Sequence, residues 1–241
     1  MCGRYTHLIT WAVLREIMDL LRTDAPEGWP GPRYNIAPTQ LAPVIRANEK
    51  GERAASMLRW GFAPHWSKTP DRGPINARVE GIGHKPMFRD AMKKRRCIVP
   101  ASGFYEWQAV AGSKTKQPWY MTPAGTGALP IFAFAGLWES HPEVGETFCI
   151  LTTEPNTLMR PIHNRMPVIL EPDKFDAWLS AGPLSFDPSE PYPAPSMTAQ
   201  RVGTKVNSPR TDASSLIEPV DTPPAARRSP PPEEDQGSLF R

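Results

Sequence analysis

Residues 11–22 place Val13, Leu14, Ile17, Met18 and Leu21 at helical spacing, with Thr10 positioned to cap the first turn. That pattern predicts an amphipathic helix. Two further helices are predicted at 86–95 and 172–180, each opened by a proline. Elsewhere the apolar positions come in short alternating or continuous runs between Gly/Pro breaks. They predict strands at 42–46, 55–62, 96–99, 103–108, 117–121, 131–138, 147–153, 166–170 and 199–206. Many short strands and few short helices, without βαβ alternation, predict a mixed α+β fold built on a curled, barrel-like sheet.

Composition sharpens this picture. Proline makes up 30 of 241 residues, against a usual ~5%. Scattered prolines interrupt long helices, which excludes coiled coils, helical solenoids and bundles. No run of ~18 apolar residues occurs, so no membrane helix is expected and the membrane is not a partner. The apolar stretch from Leu8 to Leu21 is broken by Arg15, Glu16 and Asp19 and does not read as a signal peptide. The three cysteines, Cys2, Cys97 and Cys149, are widely spaced and form no metal pattern. They fit a reducing, cytoplasmic compartment. From Glu218 onward six prolines and almost no large apolar residue precede Leu239. The expected organisation is a domain over 1–216 and a disordered tail over 217–241. The tail carries five acidic against three basic side chains, so the body is more basic than the net +3 of the whole chain.

The chain opens Met1-Cys2-Gly3-Arg4-Tyr5-Thr6. Loss of Met1 would leave a cysteine with a free α-amine (pKa ~8) beside a thiol (~8.5). A neutral amine forms a Schiff base with an aldehyde, and the neighbouring thiol can then close a thiazolidine ring. The plain alternative is a small residue opening a strand. Two segments place polar pairs two residues apart, Asn76 with Arg78 and His163 with Arg165, and in a third Glu106 lies opposite Tyr105 and Trp107. If extended, each pair shares a face, as either a site wall or a solvated strand surface. Glu106, set among Phe104, Tyr105 and Trp107, is the least ordinary, because a carboxylate among aromatics tends toward a raised pKa. The basic run Lys85, Arg89, Lys93, Lys94, Arg95 and Arg96 reads as phosphate contacts or a solvated helix face. Trp60, Phe62 and Trp66 read as core or as stacking partners for bases. Cys97 and Cys149, in apolar strands, read as buried and inert. No metal, cofactor, phosphate loop or serine elbow is expected.

Taken in order, MCGRYT (1–6), YNIAPTQ (34–40), WGFAPHW (60–66), INAR (75–78), RRCIVPASGFYEW (95–107), IHNRMPVIL (162–170) and VNSPR (206–210) resemble the motifs of the SRAP family, the abasic-site processing proteins. After VNSPR the chain has Thr211-Asp212 where the family tends to have Asn-Asp. The resemblance implies a mixed fold with a central barrel-like sheet. It implies binding to single-stranded DNA that carries an abasic site, and a covalent crosslink through the N-terminal cysteine. By motif, Cys2 matches the crosslinking residue, Asn76 the lesion-sensing asparagine, Glu106 the catalytic glutamate and His163 the pocket histidine. Arg4, Asn35, Pro38, Trp66, Arg78, Trp107 and Arg165 match positions on the family's DNA-contacting surface. The expected protein is a single-turnover, monomeric enzyme with autopeptidase and Schiff-base, lyase-like chemistry. A cysteine peptidase using Cys2, and a non-covalent single-strand binding module, remain as other readings. Finally, Gln236, Leu239 and Phe240 form a Gln-x-x-Leu-Phe sequence similar to the peptide by which bacterial repair proteins dock on the sliding clamp.

Overall fold

The computed structural model describes residues 2–20, 24–125 and 130–221. In chain order its principal elements are β1 (Tyr5–His7), α1 (Trp11–Met18), β2 (Arg33–Ile36), β3 (Leu41–Ala47), β4 (Arg53–Trp60) and β5 (Asn76–Arg78). There follow α2 (Arg89–Lys94), β6 (Arg96–Ala101), β7 (Gly103–Gln108), β8 (Gln117–Pro123), β9 (Phe132–His141) and β10 (Gly145–Thr153). The last are β11 (Met166–Pro167), α3 (Phe175–Leu179) and β12 (Met197–Arg201).

One sheet has the order β12-β8-β7-β1-β2 and is antiparallel throughout. The other closes on itself: β10, β4, β3, β6 and β9 form a ring, because β9 pairs with both β6 and β10. β5 and β11 attach to β10 outside that ring. The architecture is thus the strand-rich, barrel-containing α+β fold that the sequence predicts. Alternation explains why the barrel strands read as continuous apolar runs. Ile45, Ile98, Ala133, Ala135, Leu137, Cys149 and Leu151 pack with Leu14, Met18, Phe175 and Trp178 from α1 and α3. Their neighbours Val44, Cys97, Val99, Phe132, Phe134, Phe148 and Ile150 pack instead with Tyr5, Ile36, Phe104 and Met121 of the five-stranded sheet. Both faces are buried, so neither needs polar residues.

Several elements depart from expectation. The first helix ends at Met18, because Asp19 takes a left-handed conformation (φ 51°) and its N–H bonds back to the last turn; Thr10 caps the other end, accepting from Val13 N. The second shrinks to Arg89–Lys94, and 172–180 splits into a 3₁₀ turn and α3. The expected strand at 166–170 is reduced to β11 and an isolated Ile169–Phe134 bridge. The one at 199–206 ends at Arg201, and 204–207 is a 3₁₀ turn. Trp60 and Phe62 are fully buried core residues, not base-stacking ones. Arg96 is no surface cation either. Its guanidinium is buried and donates to the carbonyls of Met92, Trp178, Ser180 and Gly182. The first residues of the expected tail pack on the fold: Pro219 bridges Val202, and Val220 N donates to Arg201 O at 3.0 Å. The rest of that tail, with Gln236, Leu239 and Phe240, lies outside the described residues. Among the described residues no helix is long and apolar enough to cross a membrane.

The chain passes from barrel to sheet through Ser102 and Gly103, which join β6 to β7. Gly103 is hemmed in on its Cβ side: an added methyl would lie 2.5 Å from Met121 O and from the Tyr120 ring. Tyr120 is itself fixed there by a 2.8 Å bond to Thr6 Oγ1 on β1. Gly103→Ala should therefore force β8 or β1 away, destabilising the protein by about 1–3 kcal/mol. A lowered urea midpoint at unchanged slope is the expected measurement.

Candidate active site

The site is assembled where the chain's beginning enters the five-stranded sheet. β1 lies between β2 and β7, with Tyr5 opposite Phe104 and Thr6 opposite Gly103. Tyr105 N donates to Arg4 O at 3.0 Å, which extends the ladder toward the N-terminus. Continuing that register brings Glu106 level with Gly3, beside Cys2. A second set of elements arrives from the barrel. β5 runs parallel to β10, with Asn76 opposite Ile150 and Arg78 opposite Thr152. β10 also pairs with β11, and His163 lies in the turn just before it.

Cys2, Asn76, Glu106 and His163 are brought together. Asn76 Nδ2 donates to the backbone carbonyl of Cys2 at 2.8 Å. Its Oδ1 is buried and has no hydrogen-bond partner among the described residues. Cys2 is fully buried, its thiol 3.9 Å from Arg4 O. Burial, and then the charge of Glu106, push that thiol far up from its ordinary value. Glu106 is 1% exposed, and burial holds its carboxyl above the ordinary 4.5. Its Oε2 lies 4.0 Å from His163 Nε2. Burial holds half-buried His163 below its ordinary 6.5. The positive charge of the amino terminus opposes the shift of Glu106 and adds to that of His163. Near neutrality the pair therefore combines a carboxyl that holds protons more readily than usual with an imidazole that releases them more readily. Those are the properties of a proton shuttle.

His163 does not share a strand face with Arg165, because residues 163–165 form a turn. Its Nδ1 lies 3.1 Å from Arg165 N, a donor, and 3.2 Å from Arg165 O, an acceptor. When Nδ1 accepts from Arg165 N the neutral ring's proton is on Nε2, facing Glu106, and when Nδ1 donates to Arg165 O the proton is on Nδ1.

The expected DNA-contacting residues divide into two groups. Trp66 is 55% exposed, Arg78 is exposed on β5, and Pro38 is half-buried. The others are engaged inside the protein. Asn35 is buried, its amide donating to the carbonyls of Val206, Ser208 and Thr211. Arg4 donates to Asn35 Oδ1, Val206 O and Asn207 O, and Trp107 Nε1 donates to Asn207 Oδ1. These three hold the 206–211 loop against the sheet. Asp212 completes the clasp by accepting from Arg33 Nε and Tyr34 N. Arg165, 5% exposed, is likewise turned inward, onto carboxylates. Its partners Glu80 and Glu154 were missed in the sequence. Glu80 had left a signal, since it continues the Asn76, Arg78 alternation. Cys97 and Cys149 are buried and free, with thiols pushed up by burial. No group of three or more His, Cys, Asp or Glu among the described residues could hold a metal ion.

A raised Glu106 value has a sign that stability reports. The folded chain binds this proton more tightly than the unfolded one. The position's contribution is full below the ordinary 4.5 and is lost as pH rises through the folded value. Glu106→Gln removes the ionisation, so it should melt higher than wild type at pH 8. The difference should shrink as pH falls toward 4, as thermal unfolding across pH will register.

A family model described as SOS response associated peptidase (SRAP) matches residues 1–209. The chain is 39% identical over 232 residues to the abasic site processing protein YoqW of Bacillus subtilis (strain 168), covering 90% of this chain and 99% of that protein. It is 28% identical over 233 residues to the abasic site processing protein HMCES of Pongo abelii, covering 79% of this chain and 66% of that one. A crystal structure of a Bacteroides thetaiotaomicron protein superposes with a TM-score of 0.75 at 23% identity, over 91% of this chain and all of the other. That likeness speaks for the fold alone.

Proposed function

The chain belongs to the SRAP family, and from that membership and the site's geometry we propose that it captures abasic sites in single-stranded DNA through Cys2. The observation that carries this reading is the Asn76–Cys2 contact of 2.8 Å beside the Glu106–His163 pair. It holds the one residue able to offer both an amine and a thiol against two groups suited to moving protons.

Hydrolytic removal of Met1, by an aminopeptidase or by the protein itself, frees the Cys2 amine. An abasic deoxyribose is a masked aldehyde. In its imidazolium form His163 protonates the sugar's ring oxygen while the Glu106 carboxylate takes the proton of the anomeric hydroxyl, which opens the ring to the aldehyde; the neutral amine then adds to C1′ and passes a proton to its oxygen, giving a carbinolamine. Glu106 supplies the proton with which water departs, leaving an imine. Addition of the Cys2 S–H across that C=N bond closes the thiazolidine. One water leaves and no electrons are transferred. The same groups serve the reverse reaction, in which the ring reopens and water hydrolyses the imine; the lyase-like character of the chemistry lies in that Schiff-base intermediate. Asn76 fixes the Cys2 backbone and offers Oδ1 to the incoming sugar. Arg78 and Trp66 contact phosphate and base, which positions the strand without reading sequence. Arg4, Asn35, Trp107 and Arg165 act from behind, by holding the loops that flank the site.

A thiolate peptidase is less well supported, because such enzymes depend on a depressed thiol pKa and here burial and Glu106 raise it. The protein acts as a monomer, once per lesion, in the cytoplasm on nucleoid DNA. Its C-terminal Gln236, Leu239 and Phe240 tether it to the sliding clamp.

A denaturing gel tests the chemistry. An adduct that survives denaturation should form with an abasic oligonucleotide and not with an intact one. It should vanish in Cys2→Ala and on acetylation of the leading amine, and form about a hundredfold more slowly in His163→Ala. Active protein should have the mass of a chain that begins at Cys2. Equal adduct in Cys2→Ala would sink the proposal.

The tether has its own test. Immobilised sliding clamp should retain the wild-type chain and release the Leu239→Ala/Phe240→Ala variant. Equal recovery of the two excludes it.

A further inference from the structure

Arg165 is an unusual arginine. It is 5% exposed, yet it sits at the edge of the site with its guanidinium directed onto acidic side chains. Glu80 meets it through both oxygens, Oε1 to Nη1 and Oε2 to Nη2, each at 2.7 Å. That is the bidentate geometry in which an arginine–carboxylate pair fixes orientation as well as distance. Nη2 also donates to Thr152 O at 2.6 Å, and Nη1 to Glu154 Oε1 at 3.2 Å. Thr152 O accepts from Val79 N too, at 3.0 Å. One guanidinium thus joins the end of β10, the loop leaving β5 and the turn that carries His163.

The backbone of the same residue meets His163 Nδ1 twice, through its N–H and its carbonyl. Where Arg165 sits therefore decides where the imidazole points and which nitrogen holds the proton. We propose that Glu80 is a positioning residue: through its two-point bond to Arg165 it holds the 163–165 turn so that His163 Nε2 faces Glu106. Glu80 touches no reacting atom. Its carboxylate is half-exposed and held below its ordinary range first by the Arg165 hydrogen bonds, so the pair stays ionised at working pH. It also follows Asn76 and Arg78 at the next alternate position, so the segment that carries the Cys2-holding asparagine carries the anchor for the histidine.

The role of His163 in capture comes from the reading above, whereas the anchoring is a claim about geometry. Two measurements keep them apart. The groups that act on His163 are Glu106 from β7, the amino-terminal charge, Lys116 ahead of β8 and the Arg165 backbone. Glu80→Ala should leave the first three of these in place and release only the turn, with the Arg165 backbone it carries. An NMR titration of His163 in the intact protein, without DNA, should then move up toward the ordinary imidazole value, as the ring becomes better solvated. Glu80→Gln, which keeps one acceptor for Arg165, should move it less. With abasic single strand, Glu80→Ala should slow durable attachment about tenfold, since small misplacements of a reacting group have large effects on rate. Its affinity for an undamaged strand should not fall. An unchanged His163 titration overturns the proposal, as does a rate that falls only in step with weakened strand binding. If wild type forms no durable adduct, the capture reading fails while the titration still judges Glu80. A lowered melting temperature with an unmoved titration would show Glu80 to be structural only, which also overturns it.

Discussion

The pairing of β1 with β7 is the constraint on which the rest depends. An N-terminus is usually solvated and loosely held. Here Tyr5 and Thr6 are buried central residues of a sheet, Tyr5 packs edge-on against Trp60 and Phe134, and Thr6 bonds Tyr120. A strand inserted between two neighbours cannot slide without moving its whole apolar set to the wrong face. Cys2, three residues ahead of Tyr5, inherits that fixed position. A residue near the start of the chain thus gains the rigidity of a core residue.

The surroundings of Cys2 set a tension between stability and chemistry. A carboxyl, a thiol and an imidazole lie together with little water, and burial shifts all three toward their neutral forms. An apolar set at these positions would stabilise the fold better. What the polar set supplies is three groups able to exchange protons without the reorganisation that solvated ones require. The surrounding aromatics, with Tyr5, Trp60, Phe134 and Phe148 in contact, provide the burial that offsets them.

Support for the site is distributed. The loop at 206–211 is tied down by Arg4, Asn35 and Trp107, and Asp212 locks its end against Arg33 and Tyr34. The far end of the folded chain thus braces the near end. On the other side the Arg165–Glu80 pair joins β5 and the histidine turn to β10. Residues whose identity suggests contact with an anion instead hold carbonyls and carboxylates. Of the residues expected on the surface, Trp66 and Arg78 stay exposed.

The sequence alone determined the strand-rich class, the place of most strands and the residue types able to do carbonyl chemistry. Alternation and Gly/Pro punctuation are local signals, and the functional group of a side chain is legible wherever it folds. Pairing partners are not local. Nothing in residues 1–6 states that β7 lies beside β1, or that the barrel closes through β9. The burial that raises Glu106 and lowers His163 comes from segments distant in the chain. The same holds for Asn35, Arg96 and Arg165. An arginine or asparagine reads as a surface group until the carbonyls and carboxylates that meet it are known, and those are supplied from residues 84 to 202 positions away in the cases of Arg4 with Val206 and Arg96 with Ser180. Composition could say which groups were able to act; only tertiary packing decided which stay exposed and which brace their neighbours.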